Sequence, residues 1–268
     1  MTGPSIVLGD IVMGESVRWH DGRLWFCDWG AGEVIVVDQG KPEVVARVQG
    51  LPFCIDWLPD GRMLVTGADG KLRRQEPDGS LVLHADLGGS HPWNDIAVDS
   101  RGNAFVNNIG YDFPGGSPAP GTISVVTPAG SARSVAGGLQ FPNGMAVLGD
   151  TLIVAESHAG RLTAFDIAPD GGLSGRRVWA AVPGSAPDGI CVDAEGAVWY
   201  ADVPNRQCVR VRSGGEVVQT VALDRGGFAC ALSPGGTLYA VTADYTDPAM
   251  FTSRTGQLVA VEVAVGAS

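Results

Sequence analysis

Apolar and polar residues alternate along most of this chain in short runs that end in glycine-containing turns. The segment from Pro187 to Asp202 shows the unit most clearly. It has an apolar run from Gly189 to Val192, an acidic turn from Asp193 to Gly196, and a second apolar run from Ala197 to Ala201. Period-two alternation interrupted by a glycine turn predicts a β-hairpin. A lone carboxylate, Asp188, stands directly before the first predicted strand.

The same predicted hairpin occurs six times along the chain. Its copies begin at Ser16, Cys54, Asp95, Gly144, Gly189 and Ala229, and their turn glycines are 39 to 47 residues apart. Further alternating segments follow the hairpins, as in Val34 to Asp38 and Glu43 to Val48 of the first copy. Four short strands in each period of this length are typical of a propeller blade. We therefore predict an all-β fold, a six-bladed β-propeller with four antiparallel strands per blade, built as a single domain from residues 1–268.

The two ends of the chain are predicted to share the last blade. The sixth copy contains its hairpin and one further strand, Gln257 to Val263, while Ser5 to Val12 precedes the first hairpin without a partner. If the N-terminal segment supplies the outer strand of the sixth blade, no sheet edge is left open. The longer third and fourth periods indicate inserted loops at Tyr111 to Gly121 and Ala168 to Gly175, and we expect the first of them to overhang one face of the ring.

One position of the repeat carries candidate chemistry. When the copies are aligned on their turns, the residues directly before the first strand are Glu15, Phe53, Asn94, Asn143, Asp188 and Phe228. First strands of propeller blades line the central channel, so these side chains are expected to converge near the axis at one face. Considered singly, Asn143 and Asp188 precede glycine and are typical turn residues. Four oxygen donors in one structural column favour a shared site instead.

The donor types in this column predict a metal site. Glu15, Asn94, Asn143 and Asp188 offer carboxylate and amide oxygens without any cysteine or histidine, which suits one hard divalent cation. Calcium is the best match, and zinc, magnesium or manganese are alternatives. Phe53 and Phe228 occupy the same column and, with nearby Trp93 and Phe141, are expected either to form an apolar wall of a substrate pocket or to pack the blades.

The amino-acid composition argues against two classes of binding partner. The formal net charge is −11 and the chain has no run of Lys and Arg, so neither nucleic acid nor an anionic membrane surface is an expected partner. No segment has the pattern of a signal peptide or of a membrane span. Five cysteines without close pairing favour buried, reduced thiols. We therefore expect a cytoplasmic protein that acts on a small molecule.

Four anchors in chain order resemble a known family. Gly14-Glu15-Ser16, Trp93-Asn94-Asp95, Phe141-Pro142-Asn143-Gly144 and Pro187-Asp188-Gly189 are similar to motifs of the regucalcin (senescence marker protein), gluconolactonase and luciferin-regenerating enzyme family. The resemblance covers almost the whole chain. It implies a six-bladed propeller with one divalent metal in the central channel, commonly calcium or zinc, and lactone hydrolysis as the usual activity. By position it implies that Glu15, Asn143 and Asp188 are direct metal ligands, and that Asn94 is a further ligand or a contact to the substrate.

The sequence departs from the sugar-lactone members of this family at one place. Those members tend to carry an Arg two residues before the Asn of the third blade, where this chain has Pro92 preceded by His91. An assisting Glu in the following loop also has no counterpart in Tyr111 to Gly121. An apolar lactone or ester is therefore as consistent with the sequence as a sugar lactone.

The resemblance also implies that Asp188 acts as both ligand and general base. Asn94 is a further candidate catalytic residue, and His91 is a candidate substrate contact. His91 and His158 are alternative bases, although each is also consistent with an ordinary turn or loop residue. The sequence contains no GxSxG, P-loop, dinucleotide or HExxH motif. The leading hypothesis is a metal-dependent lactonase. A phosphotriesterase-like hydrolase and a non-catalytic calcium-binding propeller are the alternatives.

Overall fold

The chain folds into a ring of six four-stranded antiparallel sheets, as seen in a computed structural model that describes residues 3–89, 91–113 and 115–267. The first three blades are β2 (Gly14–His20), β3 (Arg23–Asp28), β4 (Glu33–Asp38) and β5 (Lys41–Arg47); β6 (Ile55–Trp57), β7 (Met63–Thr66), β8 (Lys71–Gln75) and β9 (Leu81–Asp86); and β10 (Trp93–Val98), β11 (Ala104–Asn108), β12 (Gly121–Val126) and β13 (Ala132–Leu139).

The next two blades are β14 (Pro142–Leu148), β15 (Thr151–Glu156), β16 (Arg161–Ile167) and β17 (Leu173–Ala181); and β18 (Pro187–Val192), β19 (Val198–Asp202), β20 (Gln207–Val211) and β21 (Val217–Ala222). A 3-10 turn, Ser157–Ala159, follows β15. The sixth blade combines β22 (Gly226–Leu232), β23 (Thr237–Ala243) and β24 (Gly256–Glu262) with the N-terminal strand β1 (Ser5–Ile11). The predicted six-bladed propeller is confirmed.

Closure of the ring by the N-terminal strand is confirmed as well. Strand β1 pairs antiparallel with β24, with Ser5 opposite Ala260 and Ile6 opposite Val259. The pairing joins residues from opposite ends of the chain, so the sixth sheet has its four strands and the ring is complete.

The predicted loop from Ala168 to Gly175 is too long. Strand β17 already begins at Leu173, which pairs with Ile167 of the preceding strand, and Ser174 lies opposite Asp166. The glycines at 171, 172 and 175 suggested a loop, but only the turn before Leu173 interrupts the sheet. Gly175 is accommodated in β17 with a positive φ of 60°.

The core lies between neighbouring blades and is filled by the alternating apolar residues of the strands. Trp199, Tyr200, Phe26 and Phe105 are among the largest fully buried side chains. The inner strands β2, β6, β10, β14, β18 and β22 surround the axis, so their first residues open onto a single face of the ring. No helix among the described residues has the length and hydropathy needed to cross a membrane.

Candidate functional site

A β-bulge lies at the predicted site position of five inner strands. The register breaks fall between Glu15 and Arg18 in β2, Trp93 and Ile96 in β10, Pro142 and Met145 in β14, Pro187 and Ile190 in β18, and Gly227 and Ala229 in β22. A bulge inserts an extra residue and changes the direction of a side chain relative to the regular pleat. Asn143 and Asp188 therefore lie inside strands, and the interpretation of these two residues as turn residues is wrong.

Glycine follows Asn143 and Asp188 because the inner strands approach closely there. A Cβ atom on Gly144 would lie 2.5 Å from the carbonyl oxygen of Asp188, and one on Gly189 would lie 2.6 Å from the Cα atom of Ala229. Any larger residue at either position would push neighbouring blades apart. The Asn-Gly and Asp-Gly pairs thus reflect crowding around the axis rather than turn formation.

The four predicted oxygen donors line one cavity of about 440 Å³ at the mouth of the channel: Glu15, Asn94, Asn143 and Asp188. The side-chain amide of Asn94 donates a hydrogen bond of 3.0 Å to Oδ1 of Asn143. Glu15 and Asp188 retain only 7% and 8% of their accessible surface. The structure therefore brings together residues from four different blades, as the alignment predicts.

The two carboxylates are electrostatically unfavourable neighbours. Burial raises the pKa of Glu15 well above its ordinary value, and the negative charges of Asp188 and Asp95 raise it further. Burial likewise raises the pKa of Asp188, with Asp95 and Cys230 adding to the effect. The positive charge of Arg18 lowers the pKa of Glu15 but does not outweigh these effects, so ionisation of both carboxylates is unfavourable.

An unpaired oxygen makes the site suitable for a cation. Oδ1 of Asp188 is buried and has no hydrogen-bond partner among the described residues. The nearby Asp95 is satisfied instead, because its Oδ1 lies 2.9 Å from the Arg18 guanidinium and its Oδ2 accepts the Met145 N–H at 2.7 Å. Native proteins rarely leave a buried carboxylate oxygen unpaired, so this oxygen suits coordination of a cation.

The donor set fits a hard divalent cation only if amides take part. Within the described ranges, no three His, Cys, Asp or Glu side chains come together as a group that could hold a metal ion. Glu15 and Asp188 would supply two carboxylates, and the amide oxygens of Asn94 and Asn143 would complete a protein set of four. Their roles as ligands remain predictions.

The predicted aromatic residues separate into two groups. Phe141 and Phe228 line the cavity. Phe53 is fully buried, and its carbonyl accepts a hydrogen bond from the indole of Trp29 at 2.5 Å. Trp93 is also buried, with its indole donating to the Gly88 carbonyl at 2.9 Å. The expectation that Phe53 and Trp93 form the pocket wall is therefore wrong, whereas their packing between blades is what the structure shows.

The two candidate histidines lie in different surroundings. His91 does not line the cavity, and its Nδ1 lies 3.2 Å from Oδ1 of Asp112 on the following loop. His158 lines the cavity from the 3-10 turn after β15, with its ring centroid 4.6 Å from that of Phe141. Burial lowers the pKa of His158, so its ring is neutral near pH 7. The predicted substrate contact through His91 is not supported by this geometry.

Sequence reasoning missed the wall contributed by blades one, five and six. Its members are Met13, Trp29, Val203, Pro204, Tyr245, Met250 and Phe251. Met250 and Phe251 belong to the loop between β23 and β24, where they are adjacent apolar residues in an otherwise mostly polar stretch. That local contrast was the available signal, but only the folded ring places the loop beside the cavity.

A second column of residues, also missed, holds the chain just before the inner strands. Oδ2 and Oδ1 of Asp28 accept the N–H groups of Val12 and Met13, each at 3.0 Å. The corresponding strand ends in other blades act similarly: Glu156 accepts the Gln140 N–H at 2.8 Å, Asp202 accepts the Ala186 N–H at 3.1 Å, and Asn108 donates to the His91 carbonyl at 2.7 Å. These polar groups position the start of the strands that carry the candidate ligands.

Comparison with known proteins agrees with this architecture. Residues 13–244 match the family model described as the SMP-30/Gluconolactonase/LRE-like region. A diisopropyl-fluorophosphatase of Loligo vulgaris is 32% identical over 205 residues, which cover 64% of this chain and 63% of that protein. The alignment thus spans less than two thirds of the Loligo protein.

Solved structures show the same fold at low sequence identity. A luciferin-regenerating enzyme superposes with a TM-score of 0.82 at 19% identity, covering 99% of this chain and 98% of that one. The calcium-binding protein regucalcin from Agrobacterium tumefaciens gives 0.80 at 19% identity, with 100% and 95% covered. A gluconolactonase from Xanthomonas campestris gives 0.75 at 21% identity, with 96% and 88% covered.

Proposed function

Because the chain belongs to the SMP-30/gluconolactonase/LRE-like family, we propose that it is a metal-dependent hydrolase that opens a sugar-derived or other small lactone. One observation carries the proposal: Oδ1 of Asp188 is buried and has no partner among the described residues, and it lies with the buried Glu15 in the lining of a cavity large enough for a small ester. The polar part of that lining, here called the floor, consists of Glu15, Asn94, Asn143 and Asp188. The proposed cation site and a space for substrate therefore lie in the same cavity.

Glu15, Asn94, Asn143 and Asp188 would hold the cation, with calcium the preferred metal and zinc, magnesium or manganese as alternatives. When bound, the cation supplies Lewis-acid polarisation of the substrate carbonyl. Asp188 is the proposed general base and accepts a proton from the attacking water at a carboxylate oxygen. Asn94 is the proposed positioning group for the substrate, since its amide faces the same cavity.

His158 is a second proposed base. It lines the cavity with a ring that is neutral near pH 7, and no hydrogen bond occupies either ring nitrogen among the described residues. His91 is less suited to the role, since it lies outside the cavity lining and faces Asp112.

Hydrolysis of phosphorus esters is a second candidate activity. The observation that favours it is the 32% identity to the diisopropyl-fluorophosphatase of Loligo vulgaris. The proposed ligands and base would serve a phosphoryl centre as well as a carbonyl, because both reactions add water to an electrophile and develop negative charge on oxygen. The name of regucalcin as a calcium-binding protein makes metal binding without turnover the third alternative.

The test begins with metal analysis of the purified chain. Acid release is then followed with a pH indicator across sugar, aliphatic and aryl lactones, and product release is followed with a chromogenic aryl phosphotriester. We expect lactone hydrolysis that disappears with chelator and returns with calcium. Activity only on the phosphotriester would support the second candidate. Calcium binding without turnover of any substrate would contradict a hydrolase.

We also propose a cytoplasmic location and a small molecule as the partner. The support is the strongly acidic net charge of −11 and five cysteines that are all free thiols, as is common in reducing compartments.

A further inference from the structure

Two apolar walls line the cavity that contains the candidate ligands, and they come mainly from blades three and six, which are opposite each other in the ring. Phe113 and Phe141 form one wall with an edge-to-face contact of 5.1 Å between ring centroids, and His158 packs against Phe141. Met250 and Phe251 belong to the other wall, together with Tyr245. These walls come from the loops of blades three, four and six, so a molecule bound to the floor residues would contact both.

The backbone of Phe141 indicates that its ring position is important. Phe141 has a φ of 54°, a conformation that bulky residues rarely adopt. Such strain persists only where the surrounding structure requires it, and it is concentrated at functional sites. Here it places an aromatic ring in the cavity wall, two residues before Asn143.

Apart from the ring N–H of His158, the neutral hydrogen-bond donors that line the cavity have partners among the described residues. The hydroxyl of Ser157 donates to the Pro187 carbonyl at 2.7 Å, and that of Tyr245 donates to the Pro204 carbonyl at 3.4 Å. The Asn94 amide is bonded to Asn143, and the Trp29 indole is bonded to the Phe53 carbonyl. A polyhydroxylated sugar ring would leave several of its own polar groups unpaired here, which disfavours binding.

The cavity also lacks a positive side chain for an anionic substrate. No Lys or Arg belongs to its lining in the described part of the chain, and the carboxylates there are those of Glu15 and Asp188. With a divalent cation balancing the two carboxylates, no net charge remains to pair with a substrate carboxylate or phosphate.

We propose that the substrate is an uncharged lactone or ester with an aryl or alkyl group, which lies between the two apolar walls while its carbonyl faces the floor. The inference rests on the proposed hydrolase function and specifies its substrate class. Phe113 and Phe251 are specificity-determining residues in this arrangement. A sugar lactone fits the same floor but not the walls.

The test compares dihydrocoumarin and γ-decalactone with glucono-δ-lactone on the calcium-loaded full chain. We expect kcat/KM to be at least about tenfold higher for the two apolar lactones, the difference expected from burying even a few methylene groups. Equal or faster turnover of glucono-δ-lactone would overturn the substrate class while leaving the hydrolase function intact.

Substitutions in the two apolar walls test whether these walls bind the substrate. Phe113 is 42% exposed, so Phe113→Ser should fold, and it should raise KM for dihydrocoumarin by about tenfold without changing calcium affinity. Phe251→Ser should behave in the same way. Leu83→Ser is the matched control, since Leu83 is an apolar residue with 59% exposure on β9, outside the cavity lining. If neither wall variant differs from Leu83→Ser, the walls do not determine specificity.

A binding measurement separates this inference from the proposed function. The lactam 3,4-dihydroquinolin-2-one has the shape of dihydrocoumarin and resists hydrolysis, so its binding is measured by titration calorimetry. Lactam binding that weakens in Phe113→Ser, in a protein that hydrolyses no lactone, would support the apolar site and contradict the hydrolase. Absence of lactam binding to the calcium-loaded chain would overturn the inference.

Discussion

Asp188 shows how context decides the meaning of one residue. Before a glycine it has the appearance of a turn residue, but the bulge in β18 keeps it in a strand and directs it to the channel mouth. Burial and neighbouring negative charge raise its pKa, and its Oδ1 lacks a partner in the described structure. Asp95, only one residue from Asn94, is equally buried yet fully paired. The difference between these two carboxylates distinguishes a candidate ligand from a structural group.

The first prediction concerns this carboxylate. Asp188→Asn keeps the size of the side chain and one oxygen but removes the charge, so we expect at least a tenfold loss of calcium affinity and loss of turnover. Asp170→Asn is the control, because it removes the same formal charge from a side chain that is 76% exposed. Calorimetric titration with calcium checks the result. Equal affinities of the two variants would mean that Asp188 is not a ligand.

The elements of the site depend on groups that never face the cavity. At the end of β15, Glu156 accepts hydrogen bonds from the Gln140 N–H, from Arg161 at 2.9 Å and from Thr163 at 2.5 Å. These contacts hold the chain just before the strand that carries Asn143. Burial alone would raise the pKa of the Glu156 carboxyl. The hydrogen bonds donated by Arg161, Thr163 and Gln140 outweigh this effect, so the pKa of Glu156 is lowered.

The second prediction follows from that lowered pKa. A folded-state pKa below the unfolded value means that Glu156 stabilises the fold above its unfolded pKa, and that this stabilisation is lost as pH falls through the folded pKa. Glu156→Gln should lower the free energy of unfolding at pH 7 by about 2 to 4 kcal/mol. The deficit should shrink as pH falls through and below the ordinary range of glutamate titration. Denaturant unfolding at several pH values measures it, with the exposed Glu43→Gln as control; a deficit that does not change with pH would contradict the role of charge.

The third prediction concerns β1, the strand that closes the ring. Removing residues 1–11 exposes the edge of β24 and the surface covered by the buried Ile11. We expect a lower thermal unfolding temperature and association through the open edge, observed by calorimetry and light scattering. The control is Ile6→Ser, which leaves the strand in place and alters a side chain that is 61% exposed. A truncated chain as stable and monomeric as this control would show that the pairing is dispensable.

At the scale of the whole molecule, the ring arranges six hairpins around one polar site. Four blades supply the candidate ligands, and the ion pair between Arg18 and Asp95 joins the first and third blades beside them. The raised pKa values of Glu15 and Asp188 mean that ionisation of both groups opposes folding at neutral pH. A bound cation would offset that repulsion.

The fourth prediction is therefore a calcium-dependent and pH-dependent stability. At a free calcium concentration of 100 times Kd, we expect about 2.7 kcal/mol of added stability, measured as a rise in Tm. Because protons compete for Glu15 and Asp188, whose pKa values are raised, the rise should shrink as pH is lowered, starting above the usual range of carboxyl titration. Asp188→Asn should show almost no rise. An undiminished rise in that variant would exclude this site as its origin.

Much of the fold was determined by the sequence alone, because its signals are local and repeated. Alternation and turn glycines define each hairpin within about 15 residues, and six copies at a regular spacing leave a propeller as the matching architecture. The same register places Glu15, Asn94, Asn143 and Asp188 in one column, and the structure brings these four together. The unpaired strand at Ser5 to Val12 likewise indicated how the ring closes.

Only the tertiary structure decided what surrounds that column. The side chains of Phe53 and Trp93 pack between blades. The cavity is instead lined by His158, Met250 and Phe251, which lie on loops without a repeated sequence pattern. The physical reason is that side-chain direction at a bulge, and the position of a loop above a ring, depend on contacts between blades that are distant in sequence. Periodicity in the sequence therefore locates the polar floor, and the folded ring determines the apolar walls that we propose select the substrate.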